Sequence, residues 1–407
     1  MNEEAVLGLM LFAILAFTAF SRWLESSVVT LPLVFTAAGY LAYLAGADLV
    51  QEEAQLEVLK LLAEITLVLI LFSDASQVRL GQLRMNAGTP LRMLLIGMPL
   101  SIALGTLVVF WISPDQPWTL ALLTAAILTP TDAALGEAVV SNEAVPAQLR
   151  QSIAVESGLN DGLALPVVIV AALAAAEAGG MVSGETPGSL TQFGLAQIIL
   201  GPVAGGIVGA AAAKLRDFAV GCDLVIESYQ GIFFLAAALL CFVAAELIGG
   251  NGLIAAFVGG LTFGHLRKGR NAFVAEFMES EGRLLTMATF MIFGAVLVPV
   301  GLAHAGWQTI LLAILFLTLV RIVPIVLALT GTGLGWPEKF FLGWFGPRGL
   351  ASILFALLVA ETYQIPGIEG LTACVVLTVM CSILAHGVSA SPIVRAFSAS
   401  GLRVPDE

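Results

Sequence analysis

Ala154-Val-Glu-Ser-Gly-Leu-Asn-Asp-Gly-Leu-Ala164 sets two carboxylates, Glu156 and Asp161, between long apolar stretches. A third acid, Asp132, ends Leu128-Thr-Pro-Thr-Asp132 inside the preceding apolar stretch. On insertion scales a charged side chain at the centre of a bilayer helix costs roughly 2.5–3.5 kcal/mol. Three such acids therefore require partners or a use.

The surrounding chain fits a bilayer. Of 407 residues, 59% are hydrophobic and only 11% charged, against about 25% charged in a soluble domain. Many uncharged runs approach 20 residues, the thickness of a hydrocarbon core. The ten-residue alternation of a transmembrane barrel is missing, so an all-α polytopic protein is expected. Met1–Glu4 is acidic and leads straight into the first span, so no cleaved leader is expected. Cys222, Cys241, Cys374 and Cys381 are scattered, with no C-x-x-C, and read as core residues. The net charge of −12 says little about partners, and no nucleic acid is expected.

Thirteen spans are expected, at about 5–23, 28–46, 56–74, 91–112, 119–140, 147–176, 193–213, 229–248, 252–264, 284–302, 308–330, 337–360 and 369–393. The ninth is short and rich in glycine. With all thirteen kept, Arg22, Arg79, Arg84, Arg92, Arg150, Lys214, Arg216, Arg267, Lys268, Arg270, Arg283, Lys339, Arg395 and Arg403 fall on one side and only Lys60 on the other. That asymmetry makes the first side cytoplasmic, in a cell membrane, with the N-terminus outside and the C-terminus inside. The loops at about 75–90, 177–192 and 265–283 are too short for a soluble domain, so one transporter domain over 1–407 is expected.

Span five is interrupted at Thr129-Pro-Thr-Asp132 and span twelve at Phe345-Gly-Pro-Arg-Gly349. Pro130 and Pro347 each remove a backbone donor and open the helix, helped in span twelve by Gly346 and Gly349. A division into a first repeat (1–176), a linker helix (193–213) and a second repeat (229–395) puts both breaks at the fifth span of their half. Six spans and an odd linker give the halves opposite orientation. Paired broken helices in inverted repeats mark a transporter's central site.

On a helix, Glu156/Asn160 and Ser157/Asp161 form two adjacent columns of one polar face. Beside it, the break in span five offers the Thr129 and Thr131 region, freed carbonyls and Asp132. Such oxygen donors suit a small hard cation, and without His or Cys donors a transition metal is not expected. A carboxylate there is neutral when protonated or when it binds a cation. If both neutral states cross and the bare carboxylate does not, cations exchange for protons. No catalytic residue or cofactor is required, and a transported sodium ion would sit at Asp161 and Asp132.

Glu156 and Arg348 are the other buried charges close to the breaks and are paired here as a neutral scaffold, with Glu156 as a second proton carrier as the alternative. Asn160 is expected to tie the broken segments together. Asp74, at the end of span three, is either a solvated acid or part of a cytoplasmic funnel for cations. Arg321 lies too deep to snorkel, and its partner is unknown. His265, His304 and His386 read as solvated groups in loops or near helix ends.

Thr129-Pro-Thr-Asp132, Glu156-Ser-Gly-Leu-Asn-Asp161 and Gly346-Pro-Arg-Gly349 together resemble the signature segments of the monovalent cation:proton antiporter-1 family, the sodium/proton exchangers of the NhaP and NHE type. The resemblance covers essentially the whole chain. It implies the NhaA-like antiporter fold with crossed broken helices, and a homodimer in the lipid bilayer. It also implies a dimer domain (spans one to three and eight to ten) and a mobile core (four to six and eleven to thirteen). Asp161 would be the main cation and proton site, with Thr131, Asp132, Glu156 and Ser157 helping to bind and Arg348 pairing with Glu156. The Asn160–Asp161 pair resembles the electroneutral branch, one cation per proton.

Three rivals keep part of this pattern. A sodium-coupled carboxylate or bile-acid symporter would need positive charge at its site. An intramembrane di-aspartate protease would leave Thr131, Ser157 and Asn160 without a role, and a passive channel would not need a buried acid–arginine pair.

Overall fold

The computed structural model describes residues 3–21, 29–46, 53–77, 88–132, 135, 139–140, 142, 145–180, 187–268, 272–363 and 365–399. Arg22, Arg79, Arg84, Arg270 and Arg403, used above for orientation, lie outside them, as does most of 133–144. Among the described residues there is no strand. The helices in chain order are α1 (Glu3–Ala19), α2 (Leu31–Leu44), α3 (Glu53–Gln77), α4 (Gly88–Ile112), α5 (Trp118–Leu128), α6 (Ala147–Ala178), α7 (Pro187–Gly221), α8 (Gln230–Glu246) and α9 (Gly252–Leu266). There follow α10 (Ala272–Ile292, continued through Phe293–Leu297 to Val298–Ala303), α11 (Trp307–Leu317), α12 (Leu319–Ala328), α13 (Trp336–Trp344), α14 (Leu350–Thr362) and α15 (Ile368–Ala399).

Six segments are long and apolar enough to cross a membrane: Gly88–Ile112, Ala147–Ala178, Leu195–Gly221, Gly282–Ala303, Trp307–Ala328 and Ile368–Arg395. Shorter apolar helices accompany them. The outer surface exposes Leu107, Trp111, Ile207, Phe218 and Leu247, side chains that in a bilayer meet lipid. The chain is a multi-pass membrane protein.

Two helices change their winding where the sequence forces it. Pro99 cannot donate to the carbonyl of Leu95, and Pro299 cannot donate to that of Ala295. In both places the chain forms a π turn just upstream, Met93–Gly97 and Phe293–Leu297, and then resumes α-helix. Both helices thus stay continuous.

Helices that find no hydrophobic drive in lipid associate by close backbone packing over small residues. The short α9 shows this most clearly. It packs against α7, α3 and α8. Gly205 of α7 lies on the Ala255 carbonyl and Gly209 on that of Gly259, while Gly260 and Gly264 lie on the Phe72 and Ser76 carbonyls of α3. Its start is fixed by Asn251 Oδ1, which accepts from the Ile254 N–H at 3.0 Å, and by Glu246 Oε1, which accepts from the Gly252 N–H at 2.8 Å.

Contacts at helix ends show which termini share a face of the bundle. Arg92 Nε donates to the Ala328 carbonyl at 2.8 Å, joining the start of α4 to the end of α12. Arg216 Nη1 donates to the Lys268 carbonyl at 3.0 Å, joining the end of α7 to the end of α9. At another corner Gln308 Nε2 donates to the Ile112 carbonyl at 3.0 Å, joining the start of α11 to the end of α4. Of the cysteines, Cys241 and Cys374 are buried, but Cys222 is exposed, because α7 ends at Gly221 and the thiol falls in the turn beyond it.

Candidate functional site

The two interrupted segments meet. α5 stops at Leu128, and residues 129–132 continue without helix. α13 stops at Trp344, and residues 345–349 continue without helix before α14 begins at Leu350. The Asp132 N–H donates to the Pro347 carbonyl at 2.8 Å. In return the Leu350 N–H, at the start of α14, donates to Asp132 Oδ2 at 2.7 Å. Ser352 Oγ donates to the Ile127 carbonyl at 2.8 Å. Asp132 therefore caps the half-helix that follows the other break, where the positive end of the helix dipole favours a carboxylate.

Two glycines make this approach sterically feasible. A Cβ on Gly349 would overlap Asp132 Oδ2, and one on Gly346 would overlap the guanidinium of Arg321.

α6 lays its polar face against the first break. Glu156, Ser157, Asn160 and Asp161 are all buried. Ser157 Oγ donates to the Thr131 carbonyl at 2.6 Å, and Asn160 Nδ2 donates to Thr131 Oγ1 at 2.6 Å. Asn160 Oδ1 and Asp161 Oδ1 remain buried without a hydrogen-bond partner. Asn160 thus ties α6 to the first break; no bond from it to the second appears among those described. Thr129 is buried, and its hydroxyl donates back to the Ala125 carbonyl at 2.7 Å, finishing the last turn of α5.

Asp132, Asp74 and Glu156 are the carboxylates whose charge reaches Asp161. Asp74 is partly buried on α3, and its Cβ and carbonyl face Gly158 of α6. It lies in the last turn of α3, on the side facing α6.

Glu156 is neutralised, but not by Arg348. Arg321 and Glu156 are each only 2% exposed. Arg321 Nη1 donates to Glu156 Oε1 at 2.5 Å and Nη2 to Oε2 at 2.7 Å, a bidentate fork. Nη2 also lies 3.5 Å from the Leu342 carbonyl. The expected Glu156–Arg348 pair is therefore corrected: the long Arg321 side chain reaches from α12 to Glu156 of α6. Arg348, 0% exposed, turns back on its own break, with Nη1 donating to the Gly346 carbonyl at 2.5 Å. Its Nε and Nη2 make no hydrogen bond.

A second correction concerns His386, read above as solvated. It is 1% exposed, set between α15 and the second break. His265 and His304 are exposed, as expected. His386 and its partner Ser382 carried no sequence signal beyond being polar in an apolar span. Around the start of α5 and of α11, a cavity of about 170 Å³ is lined by Ser113, Gln116, Thr124, Gln308 and Thr309 among others.

The family described as "Sodium/hydrogen exchanger, transmembrane" matches residues 8–396. The chain is 24% identical over 339 residues to the K(+)/H(+) antiporter NhaP2 of Shewanella sp. (strain ANA-3), covering 82% of this chain and 57% of that protein. It is 30% identical over 271 residues to the Na(+)/H(+) antiporter 2 of Zygosaccharomyces rouxii, covering 62% of this chain and 32% of that one. The chain thus spans about half the length of the first curated relative and about a third of the second. Its fold is similar to that of the sodium proton antiporter MjNhaP1 from Methanocaldococcus jannaschii at pH 8, with a TM-score of 0.75 and 20% identity over 98% of this chain and 100% of that one.

Proposed function

The chain belongs to the sodium/hydrogen exchanger family, and on that premise we propose that it is a secondary active antiporter exchanging a monovalent cation, sodium first, for a proton. The observation that carries the reading is the buried oxygen cluster where residues 129–132 and 345–349 cross against α6. There Asp161 Oδ1 and Asn160 Oδ1 lack hydrogen-bond partners, beside Asp132 and Asp74. Oxygens left bare in a closed interior are poor sites for an apolar neighbour and good ones for a hard cation. Relatives carrying the names of sodium and of potassium antiporters support the cation class.

Asp161 is the shared site, occupied by a proton or by the cation in turn. Asp132, Thr131 and Ser157, with the Thr129 region, form the cage beside it. Glu156 has both carboxylate oxygens engaged by the Arg321 fork and is assigned a scaffold role outside the proton count. One cation then exchanges for one proton. Asn160 positions Thr131, and Arg348, Pro130, Pro347, Gly346 and Gly349 shape the crossing. Asp74 draws cations to the cluster.

The helical passes are read as thirteen crossings arranged as two inverted six-helix repeats around α7. The N-terminus lies outside and the C-terminus in the cytoplasm. Helices α4–α6 and α11–α15 form a core that moves against α1–α3 and α8–α10, the latter making a homodimer. The cavity at Thr124 and Gln308 lies on the external route to the site. No catalytic group is needed, which sets aside the di-aspartate enzyme, and the acidic cluster disfavours an anionic substrate.

The test is reconstitution into vesicles carrying a pH gradient, with sodium, lithium or potassium added separately. The gradient should collapse on addition of the preferred cation, at a rate unchanged by clamping the membrane potential. A voltage-dependent rate would contradict one-for-one exchange, and no cation-driven proton movement would contradict antiport.

A further inference from the structure

Opening a helix at residues 345–349 frees backbone groups on both sides of the break, and buried ones must find partners. On one side is the Trp344 carbonyl, which accepts from the Gly346 N–H at 2.8 Å; on the other, the Arg348 N–H. One pair of side chains on α15 serves both. The Arg348 N–H donates to Ser382 Oγ at 2.7 Å. Ser382 Oγ lies 3.1 Å from His386 Nδ1. His386 Nε2 lies 3.0 Å from the Trp344 carbonyl.

The neutral Nε2–H tautomer matches these donors and acceptors in one chain. A carbonyl only accepts, so Nε2 carries the hydrogen to Trp344. Ser382 Oγ already accepts from Arg348 N–H, so its own hydrogen is free to go to Nδ1. The chain then runs from the Arg348 N–H to Ser382, from Ser382 to His386, and from His386 to the Trp344 carbonyl, complete only when the imidazole is neutral. The ring is further held by the Trp344 and Phe345 rings, with centroids at 5.3 and 6.4 Å.

We propose that His386 and Ser382 are a positioning pair: in the neutral Nε2–H tautomer they clamp both ends of the second break and so hold residues 345–349 against Asp132. They touch neither cation nor proton in transit, and act through Pro347, Gly349 and Leu350. Protonation of the ring removes the Nδ1 lone pair. The second N–H then points at the Ser382 carbonyl, 3.0 Å away, and the Ser382 hydroxyl loses its acceptor. The charged groups whose field reaches the ring are Arg348 and Arg321, the latter neutralised by Glu156. A charged imidazole therefore adds to the positive charge of Arg348 at the break, whose Nε and Nη2 have no hydrogen-bond partner, and the clamp loosens as pH falls.

The inference rests on the antiport reading, and wild-type exchange in vesicles is the control that separates the two. If wild type fails to exchange, antiport fails; if wild type exchanges, the variants judge the clamp. At saturating sodium, His386→Ala and Ser382→Ala are each expected to lower the maximum exchange rate roughly tenfold, the scale of one buried group left unsatisfied. The double variant should fall no further than either single one, because both remove the same chain of bonds. His386→Gln keeps an amide N–H for the Trp344 carbonyl but cannot be protonated. It should recover most of the rate and lack the low-pH decline expected of wild type. Thermal unfolding of the same four variants in detergent gives a second cycle that does not need transport. Additive losses in both cycles, or a Gln variant with the same acid limb as wild type, would overturn the proposal.

Discussion

Arg321 holds both carboxylate oxygens of Glu156, at 2.5 and 2.7 Å, in a site where each residue is 2% exposed. The fork joins α12 to α6 and consumes the charge of one of the acids around Asp161. Removing one member of a buried pair leaves an uncompensated ion, at a cost of about 3–5 kcal/mol. Arg321→Met should therefore lower unfolding stability by about that amount, and adding Glu156→Gln should recover much of it. Arg348→Met combined with Glu156→Gln should show far weaker coupling. A double-mutant cycle on thermal unfolding in detergent decides this, and stronger coupling of Glu156 to Arg348 would reverse the assignment.

Gly349 faces Asp132 Oδ2 with no room for a Cβ. Gly349→Ala must push the two breaks apart, and displacements of about 1 Å at a reacting site can cost about a hundredfold in rate. Exchange should fall by that order. Gly206→Ala, where a Cβ would meet nothing within 4 Å, should keep the wild-type rate. Equal rates in the two variants would show that the crossing is looser than drawn here.

Asp132 both caps α14 and stands beside Asp161. Asn in its place still accepts from the Leu350 N–H, whereas Ala cannot. Asp132→Ala should lose about 0.5–2 kcal/mol of stability, the usual range for a lost cap, and Asp132→Asn much less. Both should raise the sodium concentration for half-maximal exchange, because both remove a negative charge from the cage. Thermal unfolding separates the cap, and sodium titration separates the charge.

A proton and a cation that compete for one carboxylate give a definite pH law. As pH falls through the acid's titration the proton-bound form grows, so the half-saturating sodium concentration should rise, approaching about tenfold per pH unit. The maximum rate changes less, since saturating cation displaces the proton. Sodium titrations at several pH values check the sign. A half-saturating concentration that falls on acidification would contradict a shared site.

How much of this was legible beforehand depends on whether the signal was local. The helix class, the apolar stretches and both breaks follow from hydropathy and from Pro130 and Pro347, each a signal carried by a short run of neighbouring residues. The polar columns of α6 follow from four-residue spacing. Arg321 was visible as a buried charge, but its partner is 165 positions away in sequence and no local rule joins them. A depth argument would have found it: Glu156 lies about nine residues in from Ala147 and Arg321 about seven in from Ala328, similar depths at 1.5 Å per residue. The π turns upstream of Pro99 and Pro299 were within reach of the proline rule. Burial of His386 was not, because its partners are backbone groups freed only when the second break forms.

The central claim is that Asp161 carries cation and proton alternately. The direct measurement is sodium-driven proton movement in vesicles containing Asp161→Asn, with folding checked by thermal unfolding beside wild type. The variant should be folded and show no sodium-dependent collapse of the pH gradient at any sodium concentration. Intact cation-driven proton movement in that variant would contradict it.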